Sequence, residues 1–118
     1  MSYLSKVGRA AAILTTAEVD GDDVLLDQFD GGNVGVQVSF TIGSLTNVVL
    51  RPYVSMDAST WLQLSGDSGA LIAPTLTASA TTALRFACAG WKYFKLSAQG
   101  TGTVTSSSLA FSYRGLHV

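Results

Sequence analysis

The sequence predicts an all-β protein, a single antiparallel β-sandwich of jelly-roll-like order built from eight or nine short strands. Three observations carry this. Apolar residues recur at a period of two, turn residues interrupt the apolar runs about every ten positions, and no window holds an i, i+3, i+4, i+7 apolar stripe. Abundant Val, Thr and aromatic residues, with few Lys, Glu or Gln, also disfavour helix.

Along the chain, Ala10–Thr16 and Val24–Asp27 show short, less regular alternation. The clearest strand runs from Val34 to Ile42, where Val34, Val36, Val38, Phe40 and Ile42 alternate with Gly35, Gln37, Ser39 and Thr41. A turn at Gly43-Ser44 leads into a second, in which Leu50, Pro52 and Val54 alternate with Val49, Arg51 and Tyr53. Pro52 has no N–H to donate, which predicts an edge strand or a bulge there. The polar turn Met56-Asp57-Ala58-Ser59 precedes a strand over Trp61–Leu64, and Leu71–Thr77 adds a weaker segment. Leu84–Cys88, Tyr93–Ala98 and Leu109–Tyr113 complete the set. Gly66, Gly69, Gly90 and Gly100 to Gly102 read as turn residues. The expected organisation is an N-terminal arm over residues 1–30, able to add one or two strands, and a sandwich body over 31–118.

The 118 residues fit one domain with one core, and only 13% are charged, against roughly 25% in globular domains. Fourteen serines and twelve threonines stand in for the missing charges. So neutral a surface favours self-association or cover by a partner. The net charge of −1 offers no field for nucleic acid or anionic lipid, and no apolar stretch approaches the roughly twenty residues of a membrane-spanning helix. One cysteine, Cys88, precludes an internal disulfide. It shares a face with Leu84 and Phe86, which predicts a buried, inert thiol and folding in a reducing cytoplasm.

Few motifs point to chemistry. Ser65-Gly66-Asp67-Ser68-Gly69-Ala70 contains the GDSG of a serine nucleophile loop, but the sole histidine, His117, follows Ser68 where the chymotrypsin-like order needs it to precede. Ala70 and Leu71 also stand where those enzymes continue Gly-Pro. The stretch reads as a loop between strands, and no catalytic residue is assigned. No CxxC or HExxH pair exists, and Gly100-Thr101-Gly102-Thr103 lacks the lysine of a phosphate loop, so no metal or cofactor is assigned. Glu18, Asp20, Asp22, Asp23, Asp27 and Asp30 put six acids within thirteen residues. Counting from Asp20, the sixth residue is Leu25 and the twelfth Gly31, which breaks the EF-hand pattern. The segment reads as a solvated linker or an acidic arm that docks on a basic neighbour, with calcium held between β-loops as the alternative. Tyr53, Trp61, Trp91 and Tyr93 lie on or beside strands, where exposed aromatics build sugar-stacking platforms or protein anchors.

The run Ser44-Leu45-Thr46-Asn47-Val48-Val49-Leu50-Arg51-Pro52-Tyr53-Val54-Ser55 is followed by Asp57-Ala58-Ser59-Thr60-Trp61 and, later, by Phe94 to Leu109 ending in Gly102-Thr103-Val104-Thr105-Ser106-Ser107-Ser108-Leu109. This combination resembles small virion structural proteins of tailed bacteriophages, with their D-x-x-x-W hairpin and late G-T-x-T-x-S-S-L turn. The likeness covers residues 34–114. It implies a non-enzymatic capsid decoration, or cement, protein that is trimeric, assembles in the host cytoplasm and binds the major capsid protein or another virion protein. The alternatives are a neck, tail or baseplate protein, or a carbohydrate-binding or host-recognition module. The expected contact residues are Asp20, Asp22, Asp23, Asp27, Asp30, Arg51, Tyr53, Trp61, Trp91 and Tyr93.

Overall fold

The computed structural model describes residues 3–29, 32–66, 69–103 and 106–116. Nine strands follow one another: β1 (Tyr3–Ala12), β2 (Val19–Leu25), β3 (Asn33–Thr41), β4 (Leu45–Ser55), β5 (Leu62–Gln63), β6 (Thr75–Leu76), β7 (Ala80–Ala87), β8 (Tyr93–Gly102) and β9 (Ser108–Leu116). A single 3-10 turn, Leu26–Gln28, follows β2. One sheet has the order β1-β9-β3-β7; the other has β2-β8-β4-β5, with β6 also on β4. Every pairing is antiparallel. With β5 and β6 taken as one broken strand, these are the two four-stranded sheets of a jelly roll, as the alternation predicts.

The period-two pattern becomes burial directly. Along β3 the valines and Phe40 are buried, while their neighbours Gln37, Ser39 and Thr41 are exposed. Leu109, Phe111 and Tyr113 of β9 face Leu50 and Val54 of β4 and Phe94, Leu96 and Ala98 of β8 in one core. Phe94 bridges the layers, its ring 5.6 Å from Phe86 and 5.4 Å from Tyr113, the latter edge-on. Cys88 is fully buried, and burial pushes its thiol up to about 12.

The first thirty residues supply an edge strand to each sheet. β1 pairs with β9 and β2 with β8. Two glycines let these edges close over the core. A Cβ on Gly8 would lie 2.5 Å from Tyr113 Cζ, and one on Gly21 would lie 2.7 Å from Phe111 and 2.9 Å from Gly8 O. Between Asp20 and Asp23, β2 bulges, setting Gly21 and Asp22 against Leu96 alone. The Tyr113 hydroxyl crosses from the other sheet to fill that gap. It accepts from Leu96 N at 3.1 Å and donates to Asp22 O at 2.8 Å.

Three expectations are corrected. Pro52 lies in a central strand, between β8 and β5, with no bulge beside it. Its neighbour is what breaks: Leu50 N donates to Pro74 O on the β6 side, and Leu64 N donates to Pro52 O on the β5 side. The backbone of residue 52 therefore faces the interruption between β5 and β6, where its missing N–H costs no ladder bond. Gly100-Thr101-Gly102 is strand rather than turn, paired with Val48, Asn47 and Leu45. Gly100 is needed because the chain crosses it closely; a Cβ there would meet Thr15 O at 3.0 Å and Leu45 Cδ2 at 3.1 Å. Finally, the strand expected over Trp61–Leu64 shrinks to Leu62–Gln63, leaving Trp61 in the preceding loop.

Candidate functional site

β4 and β8 place their odd-numbered residues on the outer face of their sheet, because the even ones fill the core. Arg51 and Tyr53 are thereby set opposite Ser97 and Lys95. The segment before β2 brings Glu18 over them. Arg51 Nη1 is 2.9 Å from Glu18 Oε1 and also donates to Gln99 Oε1 at 3.0 Å. Tyr53 OH donates to the same carboxylate, at 3.0 Å from Oε2. Burial, then the hydrogen bond to Glu18 and its charge, raise the Tyr53 pKa above the usual phenol value. On the other side of Tyr53, Lys95 Nζ pairs with Asp20 Oδ2 at 2.9 Å and sits 4.4 Å from the Trp61 ring centroid. Glu18, Asp20, Tyr53, Trp61 and Lys95 line a shallow notch of about 190 Å³.

The structure thus gathers Asp20, Arg51, Tyr53 and Trp61 from the expected contact residues into one network. Trp91 lies elsewhere. It is half-buried, lining a cleft of about 350 Å³ between β5 and the end of β7, with Val54, Leu62 and Ala89. Tyr93 begins β8 with Lys92 Nζ 5.7 Å from its ring centroid. Asp22, Asp23 and Asp27 are exposed. Asp30 lies outside the described residues, as do Asp67, Ser68 and His117. The loop holding GDSG is closed around the undescribed pair by Gly66 N to Ala70 O and Gly69 N to Gly66 O, each 2.9 Å.

The acidic segment docks in part on its own chain, since Glu18 and Asp20 each meet a base across the sheet. Sequence reasoning missed Lys95 and Gln99 as members of this network. Their parity relative to Phe94 and Leu96 put them on the outer face, but only the pairing of β8 with β4 and β2 brings them to Arg51 and Asp20. Arg85, Arg114 and Gly35 were missed likewise. Gly35 is paired with Arg85 on one side and Arg114 on the other, and the three border a broad trough of about 560 Å³ on the outside of the other sheet. No group of three or more His, Cys, Asp or Glu residues suited to a metal occurs among the described residues. None of their helices is long and apolar enough to cross a membrane.

No protein family matches the sequence, and no curated protein is similar to it. Solved structures share the fold over nearly the whole chain. The SPBc2 prophage-derived protein YomS superposes with a TM-score of 0.60 at 16% identity, covering 97% of this chain and 94% of that one. The Bacillus endospore appendages that form disulfide-linked pili give 0.58 at 5% identity, covering 99% and 90%. The PRD1 vertex protein P5 gives 0.52 at 13% identity, covering 98% and 96%. At these identities the likeness is one of fold: the chain shares its jelly-roll architecture, at similar length, with a prophage protein, a spore appendage and a vertex protein.

Proposed function

We propose that this chain is a non-enzymatic virion structural protein of a tailed bacteriophage, a capsid cement that binds the major capsid protein and acts as a homotrimer on the particle after assembly in the host cytoplasm. The observation that carries the reading is the two-way match in fold and length to a prophage protein and a viral vertex protein. A neutral surface supports it. Val7, Ile13, Met56, Leu62 and Leu71 are each more than half exposed, which suits a chain that finishes its surface against other chains. Cement works by repetition: each contact contributes about 25 cal/mol per Å² of apolar area, less the cost of immobilising the partners, multiplied over every copy. Asp20, Arg51, Tyr53 and Trp61 form the proposed contact patch on one sheet. Asp22 and Asp23 on β2 and Asp27 in the turn after it extend the patch, and Trp91 and Tyr93 supply further anchors.

Electron microscopy of the intact particle tests this. Density for the chain on the capsid lattice, with particles lacking it bursting at lower temperature, is expected; density confined to the tail refutes the cement role and leaves a neck, tail or baseplate role. A second reading rests on the notch itself. Trp61, Tyr53, two carboxylates and an ammonium around a sugar-sized hollow are the groups that hold a hexose, by stacking and hydroxyl hydrogen bonds. A glycan array separates the readings, because a cement protein gives no signal that Trp61→Ala removes.

A further inference from the structure

The two sheets differ in charge more than their shared core requires. β1, β3, β7 and β9 hold Lys6, Arg9, Arg85 and Arg114 and no acidic residue, whereas the segment from Glu18 to Asp30 holds six of the eight acids and no base. Within the chain the neutralisation is partial. Glu18 meets Arg51 and Asp20 meets Lys95, but Asp22, Asp23 and Asp27 point into solvent with no ion pair among the described residues.

The basic sheet has a place for such carboxylates. Gly35 is flanked in register by Arg85 and Arg114, one on each neighbouring strand. Val34 and Val36 on either side of it are buried, so this row faces outward. Strands about 4.8 Å apart put the two arginine Cα atoms roughly 10 Å from each other. The glycine between them, having no side chain, leaves the floor of the trough of about 560 Å³, whose rim continues along Gln37 and Ala83. A guanidinium on each wall suits bidentate capture of carboxylates from a segment laid along the floor.

The geometry of the sandwich keeps this trough from its own acids. β2 stands beside β1, at one flank, while β7 closes the opposite flank of the basic sheet. We infer that the Arg85–Gly35–Arg114 trough receives Asp22, Asp23 and Asp27 of a second copy of this chain, in a head-to-tail contact. A two-fold contact through either patch would set like charges face to face. A head-to-tail contact sets the acidic patch of each copy against the arginine-lined trough of the next, and it closes into a ring when the rotation between copies permits. The inference deepens the self-association proposed above and is independent of where the protein sits on a particle.

Sedimentation and light scattering on the purified chain test it. At about 0.02 M salt the protein forms oligomers, and raising salt to about 0.5 M weakens their dissociation constant by at least tenfold, because exposed charges are then screened. Arg85→Glu with Arg114→Glu gives a folded monomer, and so does Asp22→Lys with Asp23→Lys and Asp27→Lys, folding being checked by circular dichroism. Mixing the two monomeric variants restores association, since each now offers the charge that the other lacks. Restoration on mixing separates a charge contact from damage to the fold. A wild type that stays monomeric at low salt overturns the inference while leaving the particle question to microscopy. So does an oligomer indifferent to both reversals, or a mixture that remains monomeric. Should the glutamate pair fail to fold, Arg85→Ala with Arg114→Ala must still lower the oligomer's affinity at least tenfold, and unchanged affinity is a refutation.

Discussion

Replacing Tyr113 with Phe removes one oxygen and nothing else from the centre of the sandwich. Tyr113 is fully buried, and its hydroxyl makes two bonds, to Leu96 N at 3.1 Å and Asp22 O at 2.8 Å. Both partners are backbone groups of the β2–β8 ladder at the bulge, where strand pairing leaves them unmatched. Each buried group left without a partner costs about 1–3 kcal/mol; relief from desolvating the lost hydroxyl returns part of it, so the net expected loss is about 2–3 kcal/mol. Urea unfolding followed by tryptophan fluorescence reads this as a lower midpoint at an unchanged m-value. Tyr53→Phe is the matched control: it removes a half-exposed hydroxyl bound to Glu18 and should cost less than about 1 kcal/mol. A loss below about 0.5 kcal/mol for Tyr113→Phe would show that the bulge closes without the hydroxyl, and the account of how β2 is anchored would be wrong.

Alkaline titration probes the same residue. Burial raises the Tyr113 pKa, with a lesser contribution from Asp22, and burial pushes Cys88 up to about 12. In the unfolded chain the thiol and phenol lose their protons near 8.5 and 10. Above those values the unfolded state binds fewer protons, so stability falls as pH rises. The expected slope is about 1.4 kcal/mol per pH unit from roughly pH 9 and steepens above roughly pH 10, where Tyr113 and, more weakly, the raised Tyr53 phenol add to it; Tyr113→Phe removes the larger part of that steepening. At the acid end, the N–H groups of Thr60 and Ser59 and the Ser55 hydroxyl hold the Asp57 carboxyl below the usual carboxylate range. Its contribution is present above the unfolded value near 3.9 and is lost as pH falls through the depressed one. Asp57→Asn should therefore flatten the acid limb of the stability profile, and an unchanged limb excludes this carboxylate as its source. Gly8→Ala, whose new methyl would press on the rings of Tyr113 and Phe111, should cost about 1–3 kcal/mol in the same urea assay. A neutral result would mean that β1 stands off the core.

The core was legible because period two translates into side-chain direction without further information. Val34 to Phe40 and Leu109 to Tyr113 needed only their alternation. Pro52 was misread because its effect depends on what lies opposite, and the broken neighbour of β4 is assembled from two segments a dozen residues apart in sequence. Gly100 and Gly102 were misread as turns because a glycine that bends the chain and one that lets another segment pass look alike in sequence. The contact network was half visible: parity exposed Arg51 and Tyr53, and Trp61 stood beside a strand, but joining them to Glu18 and Lys95 took strand order, which alternation does not encode. The Arg85–Gly35–Arg114 row is invisible for the same reason, since its three members come from three strands.

The pairing of β1 with β9 also has a consequence for synthesis. Arg9 Nε donates to Leu109 O across 100 residues of sequence, and β2 likewise waits for β8. Neither outer strand finds its place on a ribosome-bound chain until the last strands have emerged. The early strands leave the tunnel with their valines uncovered, and closure of so large a loop makes the final docking slow. β3 waits for β7, and β4 meets only the two-residue strands β5 and β6 before β8 emerges. Folding should thus be post-translational and in the millisecond-to-second range, leaving an interval in which a newly made chain can exchange its first strand with a neighbour's.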